Sequence, residues 1–180
     1  LLEYDDVMNL QRKAVYELRR RALTGENIRT MMEESIHALS DDLMDEFVQE
    51  GVPAEHWKTE ELKHRVEEIF TLTWPETGEQ LRELARSEIY ERLNKEAKEA
   101  YAAKEQMIGA DQLRQVERQL LLYYTDQFWK DHLLAIDRLR DGIGLRGYGQ
   151  RNPLLEYKKE AYNMFMLMSS LRDEAVLKSL

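Results

Sequence analysis

The sequence contains no cysteine among its 180 residues, and only 3 prolines and 8 glycines. Without cysteine there can be no disulfide framework and no thiolate metal site. The shortage of proline and glycine argues against a turn-rich β-fold, because such a fold needs these residues at its turns. The remaining composition, 43% hydrophobic and 34% charged, predicts a folded and mostly helical protein.

Long apolar runs and an excess of positive charge are also missing. No window approaches the roughly 18 to 20 uninterrupted apolar residues of a membrane span, and no signal-peptide pattern is present. The net charge is −9, which argues against a nucleic-acid partner because phosphate contacts need a basic surface. The chain begins at Leu1 rather than Met, and we expect it to be a segment of a longer protein.

The negative charge is concentrated in the middle of the chain. Residues 24 to 108 hold 21 Asp and Glu against 10 Lys and Arg, whereas residues 109 to 180 hold 10 against 11. Because charge distribution influences which partners a surface attracts, we expect the middle segment and the two ends to have different partners.

Apolar residues recur at helical spacing along most of the chain, which predicts an all-α fold. Helices are predicted at residues 1–23, about 32–47, 59–70, 77 to about 107, 111 to about 140, and from 154 onward, with breaks at Thr24-Gly25, Pro53, Trp74-Pro75, Gly109 and the glycine-dense residues 141–149. The apolar face of the first helix is predicted at Tyr4, Met8, Val15, Leu18 and Ala22, and that of the fifth at Leu113, Val116, Leu120, Tyr124 and Phe128. The connection of about a dozen residues between the last two helices predicts an antiparallel hairpin.

Two stretches carry a more specific signal than periodicity. The first is Leu-Leu-Glu-Tyr-Asp-Asp-Val-Met-Asn at residues 1–9. The second is Trp-Lys-Asp-His-Leu at 129–133, continuing to Asp-Gly-Ile-Gly-Leu-Arg-Gly-Tyr-Gly-Gln at 141–150 and then to Asn152-Pro153 and residues 156–161. Both resemble the scaffold region of the SecA family, the ATPases that drive unfolded secretory proteins through the SecY channel.

This resemblance implies a division of the chain and a set of partners. It implies the end of a long scaffold helix at residues 1–23, a small helical wing at 24–108, and an antiparallel two-helix finger at 109–180. The implied partners are a SecY-type channel, an unfolded preprotein and the motor domains of the same parent chain, with a homodimer left open. The implied location is cytoplasmic, peripheral at the inner face of the bacterial plasma membrane. ATP and magnesium would bind in the parent's motor domains, and we expect no cofactor, metal or catalytic residue in this segment.

The resemblance also implies a contact site at the finger tip, which we expect to be an exposed loop from Asp137 to Gly149. The residues expected to contact the channel or the preprotein are Asp137, Arg138, Leu139, Arg140, Ile143, Leu145, Arg146 and Tyr148. The family often has a bulky residue such as Tyr before Leu-Arg at this tip, whereas this sequence has Arg138. This sequence therefore has a guanidinium group in place of a bulky ring at that position.

Two motifs offer other chemistry. Gly142-x-Gly144-x-x-Gly147 matches a dinucleotide-binding fingerprint, but that motif requires a preceding strand and a helix is predicted instead. Glu34-x-x-His37 and Glu61-x-x-His64 match the unit that builds carboxylate-bridged di-metal sites in helical bundles. A di-metal helical-bundle enzyme is thus the alternative function, although Glu and His are common on any highly charged helix. We expect His132 to be a capping or core-edge residue rather than a catalytic base.

Overall fold

The computed structural model describes residues 2–146 and 152–180 and shows only helices and connecting segments in them. The helices are α1 (Leu2–Thr24), α2 (Ile28–Phe47), α3 (Thr59–Phe70), α4 (Gly78–Arg82), α5 (Arg86–Ile108), α6 (Ala110–Arg146) and α7 (Pro153–Lys178), with a 3-10 turn at Ala54–His56. The prediction of an all-α fold is confirmed. No helix in the described part of the chain is long and apolar enough to cross a membrane.

The chain divides into two compact units, each built from two separate stretches of sequence. Unit 1 comprises Leu1–Glu26 and Arg118–Arg172, and unit 2 comprises Asn27–Glu117 and Asp173–Leu180. Unit 1 therefore contains α1 and most of α6 and α7, whereas unit 2 contains α2 to α5.

In unit 1, α1 packs against α6 and α7. Ile136, Leu139 and Ile143 of α6 form a buried cluster with Tyr157 and Ala161 of α7. The partly buried α1 residues Tyr4, Val7 and Met8 pack against this cluster. The other end of α1 is capped by Arg118, whose Nε donates a hydrogen bond to the carbonyl of Ala22 over 2.8 Å. A side chain thus satisfies a helix-end carbonyl that has no partner within α1.

In unit 2, α2 packs against α3 and α5, and α3 also packs against α4 and α5. The largest fully buried apolar side chains of this core come from α2 to α5, the segment after α3 and the start of α6: Met32, Ile36, Met44, Leu62, Ile69, Trp74, Leu81, Ile89, Leu93 and Leu113. The last turns of α7 belong to the same unit, where Glu174 accepts a hydrogen bond from Arg65 of α3 over 2.9 Å. Burial of these side chains supplies most of the favourable free energy of folding.

Several predicted helix boundaries are confirmed. The third helix covers Thr59–Phe70 as predicted, and α1 ends at Thr24, immediately before Gly25. Gly25 and Gly109 adopt φ values of 76° and 93°, which non-glycine residues rarely tolerate. Both glycines therefore end helices for a conformational reason.

The single helix predicted from Thr77 to about Met107 is wrong, because two helices occupy that stretch. Ala85 is extended between them, with φ −67° and ψ 149°. Its amide donates to the Glu88 carboxylate over 3.0 Å, which caps the start of α5. A local capping interaction thus overrides a continuous four-residue apolar repeat.

The loop predicted from Asp137 onward is also wrong within the described residues, because α6 continues to Arg146. Leu139 and Ile143 are four residues apart and only 6% and 3% exposed, so one more turn buries a second large side chain. Gly142 and Gly144 lie within this helix. Each helical glycine costs about 1 kcal/mol relative to alanine, which burial of one large aliphatic side chain can offset.

Candidate functional site

The end of α6, where the contact site was predicted, presents two different faces. Leu139 and Ile143 belong to the buried cluster against α7. A stripe at helical spacing remains exposed on the other side, and we call it the exposed α6 face: Leu134, Asp137, Arg138, Asp141 and Leu145. Leu145 is 82% exposed and Leu134 is 54% exposed. The face therefore offers apolar contact area next to charges of both signs.

The predicted contact residues are therefore not equivalent. Asp137, Arg138 and Leu145 lie on the exposed α6 face, whereas Leu139 and Ile143 are buried. The side chain of Arg146, like the whole of Tyr148, lies outside the described residues. Of the six predicted side chains that the structure describes, three are exposed, Arg140 is partly exposed, and Leu139 and Ile143 are buried.

Arg140 links the end of α6 to α1. Its NH1 atom donates a hydrogen bond to Asp5 Oδ1 over 2.9 Å, and its guanidinium lies 5.7 Å from the centre of the Tyr4 ring. The Tyr4 ring is in turn 4.8 Å from the ring of Tyr157 on α7. Because the Asp5 and Arg140 side chains are both partly exposed, the ion pair contributes no more than about 1 kcal/mol.

Tyr157 is completely buried at this end of the hairpin. Its hydroxyl has no hydrogen-bond partner among the described residues, and burial raises the pKa of the phenol. An unpaired buried hydroxyl costs about 1 to 3 kcal/mol, which the packing of its ring must offset. Helical spacing of apolar residues gives no sign of whether a buried hydroxyl has a hydrogen-bond partner.

Gln11 of α1 is a buried polar residue that the periodic pattern missed. It is 7% exposed, and its Nε2 donates to the carbonyl of Ala161 on α7 over 3.0 Å. Its Oε1 lies 2.7 Å from Nε2 of His132 on α6. The seven-residue gap between Met8 and Val15 in the predicted apolar face is the signal that could have located it, because position 11 falls on that face.

The hydrogen bonds of Gln11 determine the state of His132. Since the amide nitrogen of Gln11 is used by Ala161, its carbonyl oxygen faces the imidazole, which must donate from Nε2. Burial lowers the pKa of His132 and so favours the neutral ring. The ring stacks on Trp129 at 5.6 Å and 27° and is 5% exposed. The prediction of a core-edge histidine is confirmed, with burial deeper than expected.

In unit 2, a buried carboxylate joins the end of α5 to the start of α6. Glu117 is completely buried and accepts a hydrogen bond from the Tyr101 hydroxyl over 2.5 Å. Arg114 places its Nε 2.6 Å from Glu117 Oε2 and its NH2 2.7 Å from Glu105 Oε2. Burial raises the pKa of Glu117 above its ordinary value. Burial and the neighbouring Glu117 carboxylate also raise the pKa of Tyr101 above its ordinary value. The predicted α6 face lay one residue away, at Val116, and so missed this acid.

The two Glu-x-x-His motifs are engaged separately on exposed helix surfaces. His37 Nδ1 lies 2.7 Å from the Tyr90 hydroxyl, and His64 Nε2 lies 3.6 Å from Glu60 Oε1. Across residues 2–146 and 152–180, no three His, Asp or Glu side chains are grouped so as to hold a metal ion. The described geometry therefore gives the di-metal alternative no support.

The glycine triplet also lacks the setting of a phosphate-binding turn. Gly142 and Gly144 lie within α6, so a helix precedes and includes them where a strand would be required. Gly147 lies outside the described residues. The first two glycines thus offer no strand-to-helix turn in which a phosphate could meet several free backbone amides.

Comparison with known proteins gives a consistent family match. The sequence profile described as the SecA wing and scaffold domain matches residues 1–180. The protein translocase subunit SecA of Pelotomaculum thermopropionicum is 42% identical over 177 residues, which cover 98% of this chain and 20% of that protein.

Two further SecA subunits show the same relation. That of Acidobacterium capsulatum is 41% identical over 181 residues, covering 100% of this chain and 18% of that protein. That of Carboxydothermus hydrogenoformans is 40% identical over 180 residues, covering 100% of this chain and 21% of that protein. The chain therefore spans about one fifth of the length of these curated relatives. With a match along its whole length, the chain belongs to the SecA wing and scaffold domain family.

Proposed function

We propose that this chain is a scaffold and wing module without catalytic residues of its own, which couples ATP-driven motion to the movement of unfolded preproteins through a SecY-type channel. The observation that carries the proposal is the family match along residues 1–180. Relatives described as protein translocase subunits are about five times longer than this chain, which leaves room for motor domains outside the matched segment. ATP and magnesium would act in those domains.

The proposed division of labour follows the sequence. Residues 1–23 form the end of a long scaffold helix, residues 24–108 the wing, and residues 109–180 the two-helix finger. The packing of α6 against α7 in unit 1 supports a stiff finger. The acidic balance of residues 24–108 supports a separate role for the wing. The module would work at the cytoplasmic face of the plasma membrane.

The exposed α6 face is the proposed contact surface of the finger, together with Arg146 and Tyr148 near the tip. Two exposed leucines, Leu134 and Leu145, flank the charged residues Arg138 and Asp137. A moving unfolded chain presents backbone and mixed side chains, so a surface that combines apolar area with Arg fits it without requiring one sequence. Arg138 would act here by charge and hydrogen bonding rather than as an aromatic ring.

The test uses a full-length SecA relative in which this chain replaces the matching segment. Arg138→Glu combined with Leu145→Ser changes only exposed positions. We expect translocation in a reconstituted assay to fall at least about fivefold, the effect of removing about 1 kcal/mol of contact energy. The rate of ATP hydrolysis measured without the channel should equal that of the same full-length protein without the two substitutions.

The matched control is Lys98→Glu combined with Met107→Ser on α5, where both side chains are also exposed. This variant makes the same kind of charge reversal and apolar-to-serine change in unit 2. Normal translocation by the α6 variant, or an equal loss in the control, would contradict the proposed contact surface.

A further inference from the structure

Gln11 occupies an unusual position among the residues of α1. The buried side chains of this helix are Gln11, Val15 and Ala22, so Gln11 is the polar one. Its amide makes one hydrogen bond to α6 through His132 and one to α7 through Ala161. A single side chain therefore connects the scaffold helix to both helices of the hairpin.

The two hydrogen bonds allow only one register of α1. A shift by one residue moves a helix about 1.5 Å along its axis and turns it by about 100°, whereas hydrogen bonds tolerate a few tenths of an ångström. The apolar contacts of Tyr4, Val7 and Met8 are less demanding, because dispersion contacts have no direction. Slippage of α1 would break both bonds of Gln11 and leave buried polar groups without partners.

Other polar links between α1 and α6 are more exposed. Arg19 Nε lies 2.7 Å from Asp126 Oδ1, and Arg140 NH1 lies 2.9 Å from Asp5 Oδ1. Solvent and salt screen such pairs, so they hold a register weakly. The hydrogen bonds of Gln11 are shielded from water and are therefore a stronger constraint on register than these two pairs. The partly buried hydrogen bond from Arg118 Nε to the Ala22 carbonyl holds only the far end of α1.

We propose that Gln11 is a positioning residue that fixes the register of α1 against both helices of the α6–α7 hairpin. Through this register it sets how much of a displacement of α1 reaches the hairpin. The second statement rests on the proposed function, since it assumes that the hairpin is moved during translocation. The first statement concerns the structure alone.

The first experiment tests the pairing without any transport assay. Gln11→Glu places a carboxylate at hydrogen-bond distance from the His132 imidazole, and an opposite charge that close raises a histidine pKa by about 1 to 3 pH units. NMR titration of the folded chain measures this change. Gln119→Glu is the control, because Gln119 is exposed on α6 and about 20 Å away along the helix.

We expect a raised His132 pKa in Gln11→Glu and an unchanged one in Gln119→Glu. An unchanged pKa in both variants would overturn the pairing and with it the proposal. In the unsubstituted chain at neutral pH, the chemical shifts of the two imidazole nitrogens of His132 should show that the proton is on Nε2. A proton found on Nδ1 would equally overturn the pairing.

The second experiment measures coupling in the full-length SecA relative that carries this chain. Gln11→Leu puts an apolar side chain in place of the amide and so removes both hydrogen bonds. We expect the amount of preprotein moved per ATP hydrolysed to fall about fivefold, the lower end of the usual range for coupling between sites. Gln119→Leu should leave this ratio unchanged. Gln11→Glu, which retains an acceptor for His132 but cannot donate to Ala161, replaces Gln11→Leu if that variant does not fold.

The outcomes separate the inference from the proposed function. An unchanged ratio in the Gln11 variants, with normal translocation, would overturn the coupling role. No translocation by the unsubstituted chain in the full-length relative would contradict the proposed function, while the NMR titration still decides whether Gln11 fixes the register.

Discussion

At the scale of single residues, Gly78 marks a close approach between α3 and α4 of unit 2. A Cβ at this position would come within 2.9 Å of the Glu60 backbone. The Gly78 amide donates to the Glu60 carboxylate over 2.9 Å, and its carbonyl accepts from Thr59 Oγ1 over 2.6 Å. The starts of α3 and α4 are therefore joined through a site that has no room for a side chain.

We expect Gly78→Ala to lower the free energy of unfolding by about 1 to 3 kcal/mol, because an added methyl group must push α3 and α4 apart. Urea unfolding of the isolated chain measures this. Gly144→Ala is the control, since nothing lies within 4 Å of a Cβ at that helical position. The control should gain up to about 1 kcal/mol. Equal effects of the two substitutions would show that the contact at Gly78 is not tight.

Glu117 predicts a particular dependence of stability on pH. Burial raises its pKa in the folded chain above its ordinary value of 4.5. The folded state thus holds this proton more tightly than the unfolded state does, so the contribution of Glu117 is full below pH 4.5 and decreases as the pH rises through the folded pKa. Glu117→Gln removes this titration while keeping an oxygen for the Tyr101 hydroxyl.

The measurement is urea unfolding of both proteins from pH 4 to pH 8. We expect the free energy of unfolding of the unsubstituted chain, minus that of Glu117→Gln, to decrease as the pH rises above 4.5. Taking the difference removes the titration of carboxylates that both proteins share. A difference that instead grows with pH would mean that Arg114 lowers the pKa of Glu117 more than burial raises it.

At the scale of elements, the end of α6 is defined by which of its leucines are buried. We expect Leu139→Ala to cost about 2 to 5 kcal/mol because it leaves a cavity against α7. Leu145→Ala should change stability by no more than about 0.5 kcal/mol, since Leu145 is 82% exposed. Thermal and urea unfolding check both values. If Leu139→Ala and Leu145→Ala had equally small effects on stability, the segment would be an exposed loop, as the sequence predicted.

The sequence was informative where a regular apolar pattern or the backbone preference of glycine decides the structure. The helix at Thr59–Phe70 and the breaks at Gly25 and Gly109 were all predictable, because a regular apolar face or a glycine in a left-handed conformation determines each. The end of α6 was not, because two glycines in a helix look like a loop until the packing of Ile143 is known. Sequence periodicity cannot weigh that packing against glycine propensity.

Buried polar residues were the other class that the sequence could not place. Gln11 and Glu117 both lie at core positions, where a pattern of apolar residues records only a gap. Their burial depends on partners that are distant in the sequence. Gln11 bonds to Ala161, 150 residues away, and Glu117 bonds to Tyr101, 16 residues away. The contact site at the end of α6 could be located by the resemblance, but its division into buried and exposed residues became visible only with the helix.

At the scale of the whole molecule, the last turns of α7 complete the core of unit 2. Leu177 is 4% exposed and lines a small cavity with Ile36, Phe70 and Ala97, which belong to α2, α3 and α5. We expect Leu177→Ala to cost about 2 to 5 kcal/mol and to increase amide hydrogen exchange in α2, α3 and α5. Leu171→Ala, at a position 43% exposed on the same helix, is the control and should leave that exchange unchanged. Unaltered exchange in both variants would show that unit 2 is complete without α7.

The division of each unit into two sequence segments has a consequence for synthesis on the ribosome. Helix α1 leaves the ribosome before its partners in unit 1, which begin only at Arg118, after most of unit 2 has been made. At typical elongation rates of about 5 to 20 residues per second, α1 waits roughly 5 to 20 seconds for them. During that interval Gln11 and Val15 lack their partners in unit 1, and Asn27–Glu117 can collapse before α6 and α7 are available to α1. The order in which the polypeptide emerges thus favours early collapse of Asn27–Glu117, whose core is completed only when the last turns of α7 have been made.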